Sequence, residues 1–153
     1  MLIESEIRSP VCTGRHSADA LVLLWTMRLW YVCPCGSRHV HDYYARSLPP
    51  AARRIAFEDT ARMARILVTA AREPLRLQSP DFLWLTGHET ILMRAFDAAR
   101  EGGYAVAFFE AGQLLRFDQV TLFVEALTRL GAALEAGPGG AMGGEVARPS
   151  LHG

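Results

Sequence analysis

Two thiols and two imidazoles fall within nine residues, in the run Cys33-Pro34-Cys35-Gly36-Ser37-Arg38-His39-Val40-His41-Asp42. These are the donor types of a Cys2His2 zinc site. Cys33, Cys35, His39 and His41 are therefore the metal-ligand candidates, and zinc is the one cofactor the chain suggests. The C-x-C-x3-H-x-H spacing asks one turn to fold back almost wholly on itself, whereas structural sites usually gather their pairs from separate turns. Two other readings use the same residues. One is a Pro-Gly turn with apolar thiols and solvated histidines. The other is a redox element, in which Cys33 and Cys35 form a reversible disulfide or one of them serves as a reactive thiol.

The segment Cys33-Pro34-Cys35-Gly36-Ser37 is similar to the opening of the SEC-C zinc knuckle, a short motif at the ends of many bacterial proteins. The resemblance covers five residues. It implies zinc held with a second Cys-Cys or Cys-His pair further along the chain. At the corresponding positions stand Tyr44 and Ala45, so His39 and His41 would have to complete the set. Cys12 and His16 are not that missing pair. A continuous helix from Ser17 to Val32, at 1.5 Å per residue, separates the two clusters by roughly 22 Å.

Other chemistry has a thinner basis. Cys35, His39 and Asp42, or the distant His88, could be assembled into a nucleophile–base–orienter set, but no protease or transferase signature surrounds either cysteine. His88-Glu89 has the wrong order for the Glu-x-x-His of a bundle di-iron site. Thr86-Gly87-His88-Glu89 is instead a capping box, which accounts for Glu89. All 16 basic residues are arginine, so Schiff-base lysines, lysine general bases and the P-loop lysine are excluded. No catalytic residue is assigned, and a non-enzymatic role is expected.

A second candidate set is aromatic: Trp25, Trp30 and Tyr31, with Trp84 further on. Core packing would explain it. So would a partner-binding face, because Trp, Tyr and Arg are the residues interfaces favour. The second reading draws on the stretch from Ala18 to Val32, apolar around most of its circumference, which is more than a small bundle easily covers. Trp25, Trp30 and Tyr31 are accordingly the candidate contacts for a protein partner or for homodimerisation.

The elements that must position these residues are helical. Ser17 can cap a helix running to about Val32, which Cys33-Pro34-Cys35-Gly36 stops. Pro49-Pro50 opens a second long helix with Ile55, Ala56, Met63, Ile66, Leu67 and Ala70 as its apolar stripe. On that helix Arg53, Arg54, Arg62 and Arg65 lie among Glu58 and Asp59 as a solvated mixed-charge face, with Arg54, Glu58 and Arg62 spaced for i,i+4 pairing. Thr86 starts a helix that ends at Gly102-Gly103. Tyr104 to Leu115 forms another, with Val106-Ala107-Phe108-Phe109 as its core. Asp118 caps the last, whose buried face carries Val120, Phe123, Val124, Leu127, Leu130 and Leu134. No alternating strand pattern is evident.

The expected fold is all-α, a compact bundle of about five helices over residues 13–135, followed by a flexible, Gly-rich tail over residues 136–153. The 153 residues hold 16 acidic and 16 basic side chains, so no net positive field draws nucleic acid, which is not an expected partner. The acidic start, Met1-Leu2-Ile3-Glu4-Ser5-Glu6, lacks the basic region of a secretory signal. The most apolar stretch, Ala18 to Val32, is shorter than a membrane span needs and contains Asp19 and Arg28. Three cysteines are too few for a disulfide framework, so a reduced, cytoplasmic setting is expected. The expected function is that of an adaptor, assembly factor or regulator acting through protein–protein binding; the alternative is a zinc or thiol-redox module on the 33–41 turn.

Overall fold

A computed structural model describes residues 16–137 and the backbone of Ser9 and Pro10. Among the described residues six helices pack together: α1 (Ala18–Val32), α2 (Gly36–Ser47), α3 (Pro50–Ala70), α4 (Gly87–Arg100), α5 (Tyr104–Leu114) and α6 (Phe117–Glu135). The Cys12 thiol and the expected tail beyond Gly137 lie outside the described residues, whereas Gly137 itself is buried. Among the described residues, two short β pairings tie down the connections. Ser9–Pro10 (β1) runs antiparallel to Trp84–Leu85 (β2), and Ala71 bridges Leu115.

The helix starts follow the sequence signals. The Ser17 hydroxyl accepts from the Ala20 amide at 3.0 Å, and Pro50 occupies the first turn of α3. At α4 both halves of the capping box are made, with Glu89 N–H donating to Thr86 Oγ1 at 3.1 Å and Thr86 N–H donating to Glu89 Oε1 at 3.0 Å. Gly102, at φ 81°, takes the left-handed conformation just past the end of α4. The start of α6 departs from its signal: the cap is Arg116, not the expected Asp118, which sits in the first turn, where a carboxylate favours the helix N-terminus.

α2 corrects the sequence reading. The break is confined to Cys33–Cys35, and the chain resumes a helix at Gly36, carrying His39 and His41 on it. Pro34 ends α1, but Gly36 tucks under its last turn, where a Cβ would collide with the Leu29 carbonyl. Val40 and Tyr44, four residues apart, then bury completely. That spacing is what makes the segment helical, since it gives a core-facing stripe.

The most extensive pairings join α3 to α6 and α4 to α5, with α4 also against α6. α1 lies mainly on α2 and α4 and makes a sparser contact with α3. Phe96, Phe123, Leu92, Met93 and Leu127 fill the centre, and Met63 and Leu67 bring α3 onto it. Ile55 departs from its expected stripe and is 42% exposed. No described helix is long and apolar enough to cross a membrane.

Candidate functional site

Because α1 and α3 meet sparingly, a groove opens between the C-terminal end of α1 and the second half of α3. It measures about 630 Å³ and is lined by Trp30, Tyr31, Ala61, Ala64, Arg65, Val68 and Thr69. On α3 these are positions i, i+3, i+4, i+7 and i+8, one face of about two turns. Small side chains at 61 and 64 keep the floor low, and Val68 stands 64% exposed at its edge. Trp30 walls the other side and leans on Phe57, ring centroids 5.4 Å apart.

The polar features of the groove are few. Arg65 is its one charged residue, and among the described residues its guanidinium has no carboxylate within ion-pair distance. Partial burial raises the Tyr31 phenol above its ordinary value. An occupant would meet an apolar wall and floor, one cation and the hydroxyls of Tyr31 and Thr69, the second of which donates to the Arg65 carbonyl at 2.9 Å. That suits an apolar helix face carrying a carboxylate.

Of the three aromatic candidates, Trp30 and Tyr31 are thus together. Trp25 is not with them. Five residues earlier on α1, it lies about 140° around the helix, and it packs edge-on against Tyr43 at 5.3 Å.

The four ligand candidates are also divided. Cys35 Sγ approaches His39 Nε2 at 3.8 Å, one helical turn away on the exposed side of α2. Cys33 is half-buried, packed against the core, and both thiols are free. His41, two residues from His39, points elsewhere on the helix, edge-on to Phe57 at 5.2 Å and beside Asp42 at 3.8 Å. Among the described residues no three His, Cys, Asp or Glu side chains are grouped to hold a metal ion. Where the zinc-knuckle resemblance implies a second ligand pair, Tyr44 is buried and its hydroxyl lies 2.8 Å from that of Thr60. The residues present do not fit that motif's zinc.

Three features escaped the sequence reading. The lone Arg28 of the apolar helix is buried on Glu89, so Glu89 does more than cap a helix. Asp59, expected on a solvated face, is 2% exposed and receives Arg62 at 2.7 Å and Arg129 at 2.9 Å. Arg62 therefore turns to Asp59 rather than to Glu58. Finally, the Val106–Phe109 run is not core. Only Ala107 is buried, while Phe109 stands 70% exposed. An arginine inside an apolar run was a legible signal for the first; the others depend on residues far away in sequence.

No protein-family model, curated protein or solved structure matches the chain.

Proposed function

We propose that this protein is a non-enzymatic binding protein, an adaptor, assembly factor or regulator, that receives an apolar helix face of a partner protein in the α1–α3 groove. The observation that carries the reading is the groove itself, an apolar trough with a half-exposed Trp30, a Tyr31 hydroxyl and a single cation, Arg65, that has no ion-pair partner among the described residues. Tryptophan, tyrosine and arginine are the side chains in which binding energy concentrates at protein interfaces. Two free thiols fit a reducing, cytoplasmic setting.

The test is a photo-crosslinking residue placed at Val68, with a second at the exposed Arg46 on α2 as control. In the native cell, Val68 is expected to crosslink a defined segment of one protein, and Trp30→Ala to abolish that product. Equal, diffuse labelling from both positions would overturn the reading.

The Cys35–His39 contact favours a narrower second reading, thiol chemistry at the start of α2. Two donors fall short of the four that a structural zinc takes. A reactive thiol needs only the pair.

A further inference from the structure

We propose that residues 73–78, a strap that follows α3, are latched by the neutral form of His88, and that a second proton on this imidazole opens the latch. The device is separate from the groove, and the proposal does not depend on what the groove binds.

The strap lies against the start of α4, and its backbone is tied there. The Arg76 amide donates to His88 Nδ1 at 2.8 Å, and the Thr86 hydroxyl donates to the Arg76 carbonyl at 2.7 Å. The Gln78 amide donates to Glu89 Oε2 at 2.8 Å. Beside these ties Leu75 and Leu77 are partly buried against the core. A backbone amide can only donate, so His88 Nδ1 must accept and carries no hydrogen. The ring hydrogen is therefore on Nε2, which donates to Glu73 Oε2 at 3.0 Å. Both nitrogens have fixed roles, and both partners belong to the strap.

Protonation reverses the role of one nitrogen. In the imidazolium both are donors, so Nδ1–H would face the Arg76 N–H and the hydrogen bond is lost. The His88 side chain is 14% exposed, which leaves the ring little room to turn Nδ1 to water while the strap stays down. The surrounding charges do not offset this loss. Among the described residues Glu73 is the one carboxylate within ion-pair distance of His88, and it is 70% exposed, where such a pair contributes little. His88 also stands in the first turn of α4, whose positive end opposes a cation. The other charged groups nearby are engaged elsewhere or in solvent. On the strap side, Arg76 is exposed and Arg72 Nε donates to the Gly112 carbonyl at 2.8 Å. On the helices packed against α4, Arg28 of α1 is on Glu89, Glu110 of α5 on Arg94, and Asp118 of α6 beside Arg116. Arg129 of α6 is on Asp59, and Arg100 gathers Asp19 and Glu135 at the far end of α4.

The opening is local. Residues 73–77 come away and uncover the core beneath Leu75 and Leu77, while Gln78 stays on Glu89, which Arg28 holds in place. Acid thus exposes an apolar edge that neutral pH keeps covered.

The test is nuclear magnetic resonance on the full chain, titrated from about pH 8 to about pH 5, the span in which an imidazole changes charge. Nitrogen-15 shifts of the His88 ring report its tautomer and charge. Amide exchange reports each tie, expressed against the rate of an unstructured chain so that the pH dependence of exchange itself cancels. At the alkaline end His88 is expected to carry hydrogen on Nε2 alone. As it gains its second proton, the Arg76 amide should lose about tenfold in protection, the worth of one hydrogen bond. Gln78 and the amides of α4 should keep theirs. His88→Asn puts a carboxamide oxygen where Nδ1 stands, an acceptor that does not titrate, and should keep Arg76 protected to the acid end. His88→Ala should leave Arg76 unprotected throughout, with α4 intact. Hydrogen on Nδ1 at the alkaline end would overturn the proposal. So would an Arg76 amide still protected once His88 is charged, or a His88→Asn chain that opens in acid as the parent does. Parallel loss of protection at Gln78 and along α4 would overturn it too, because the whole domain and not the strap would then be opening.

Discussion

Arg28 and Glu89 meet through two parallel hydrogen bonds, Nε to Oε2 at 2.9 Å and Nη2 to Oε1 at 2.8 Å, with both side chains 2% exposed or less. Arg28 also donates to the carbonyls of Phe82 and Trp84 at 2.8 and 2.9 Å. Glu89 accepts two backbone amides besides, Gln78 at 2.8 Å and Thr86 at 3.0 Å. One ion pair therefore fastens α1, α4 and the loop between α3 and β2. A buried pair recovers its desolvation only when the remaining donors and acceptors are satisfied, which they nearly all are here.

Arg28→Met is expected to lower the unfolding free energy by about 3–5 kcal/mol, because it strands a buried carboxylate. Replacing both partners with apolar residues should recover only part of this, since the Gln78 and Thr86 amides lose their acceptor. Urea titration followed by circular dichroism measures both effects. A loss below about 1 kcal/mol for the single variant, the scale of an exposed pair, would show that the two charges are not enclosed as described.

Alkaline stability should depend on Tyr44. Burial, the largest cause, pushes its phenol up to about 12 from 10.0, against the opposing effect of the Thr60 hydrogen bond. The unfolded chain thus gives up this proton at lower pH than the folded one. The contribution is complete below about pH 10, falls as pH rises, and is gone above about pH 12. Over that window it amounts to roughly 2–3 kcal/mol. Tyr44→Phe should flatten the fall in melting temperature between pH 10 and 12 while lowering stability modestly at pH 8. An unchanged alkaline limb would count against it.

Much of this architecture was legible because helix caps and 3–4 spacings are local. Ser17, Pro50 and the Thr86–Glu89 box mark their helices within a few residues. The start of α2 was hidden by the same logic, since Pro34 and Gly36 are turn signals, and only the Val40–Tyr44 spacing argues for a helix. Asp59 shows a different limit. Its burial requires Arg129, 70 residues away, which no local pattern reveals. Periodicity also cannot say which side of α5 faces inward when both sides are apolar. In the candidate site, Trp30 and Tyr31 were identifiable by residue type, but Ala61, Ala64 and Val68 acquire meaning only once α3 lies beside α1.

The two described cysteines should differ in reactivity. Cys35 is exposed beside His39, and Cys33 is half-buried against the core. Iodoacetamide added to the native protein is expected to modify Cys35 well before Cys33, as peptide mapping by mass spectrometry would resolve. His39→Ala should change the rate at Cys35 and leave Cys33 unaffected. Equal labelling of both thiols would remove the basis for thiol chemistry at this turn.

The groove makes a charge-specific prediction. Arg65 is exposed, so Arg65→Glu should shift stability by no more than about 0.5 kcal/mol, the usual range for a surface position. Its effect on partner capture should be far larger, because reversing the one cation places a carboxylate against the carboxylate expected on the occupant. Arg65→Lys keeps the charge and should retain most of the binding. Val68→Arg tests the apolar part separately, by driving a charge into the wall beside Trp30. Reversal should abolish the crosslink expected from position 68, and insertion should abolish capture of the same partner, with melting temperatures held within a few degrees. Were Arg65→Glu to bind as well as Arg65→Lys, the occupant would carry no acid at this point, and shape alone would have to account for its recognition.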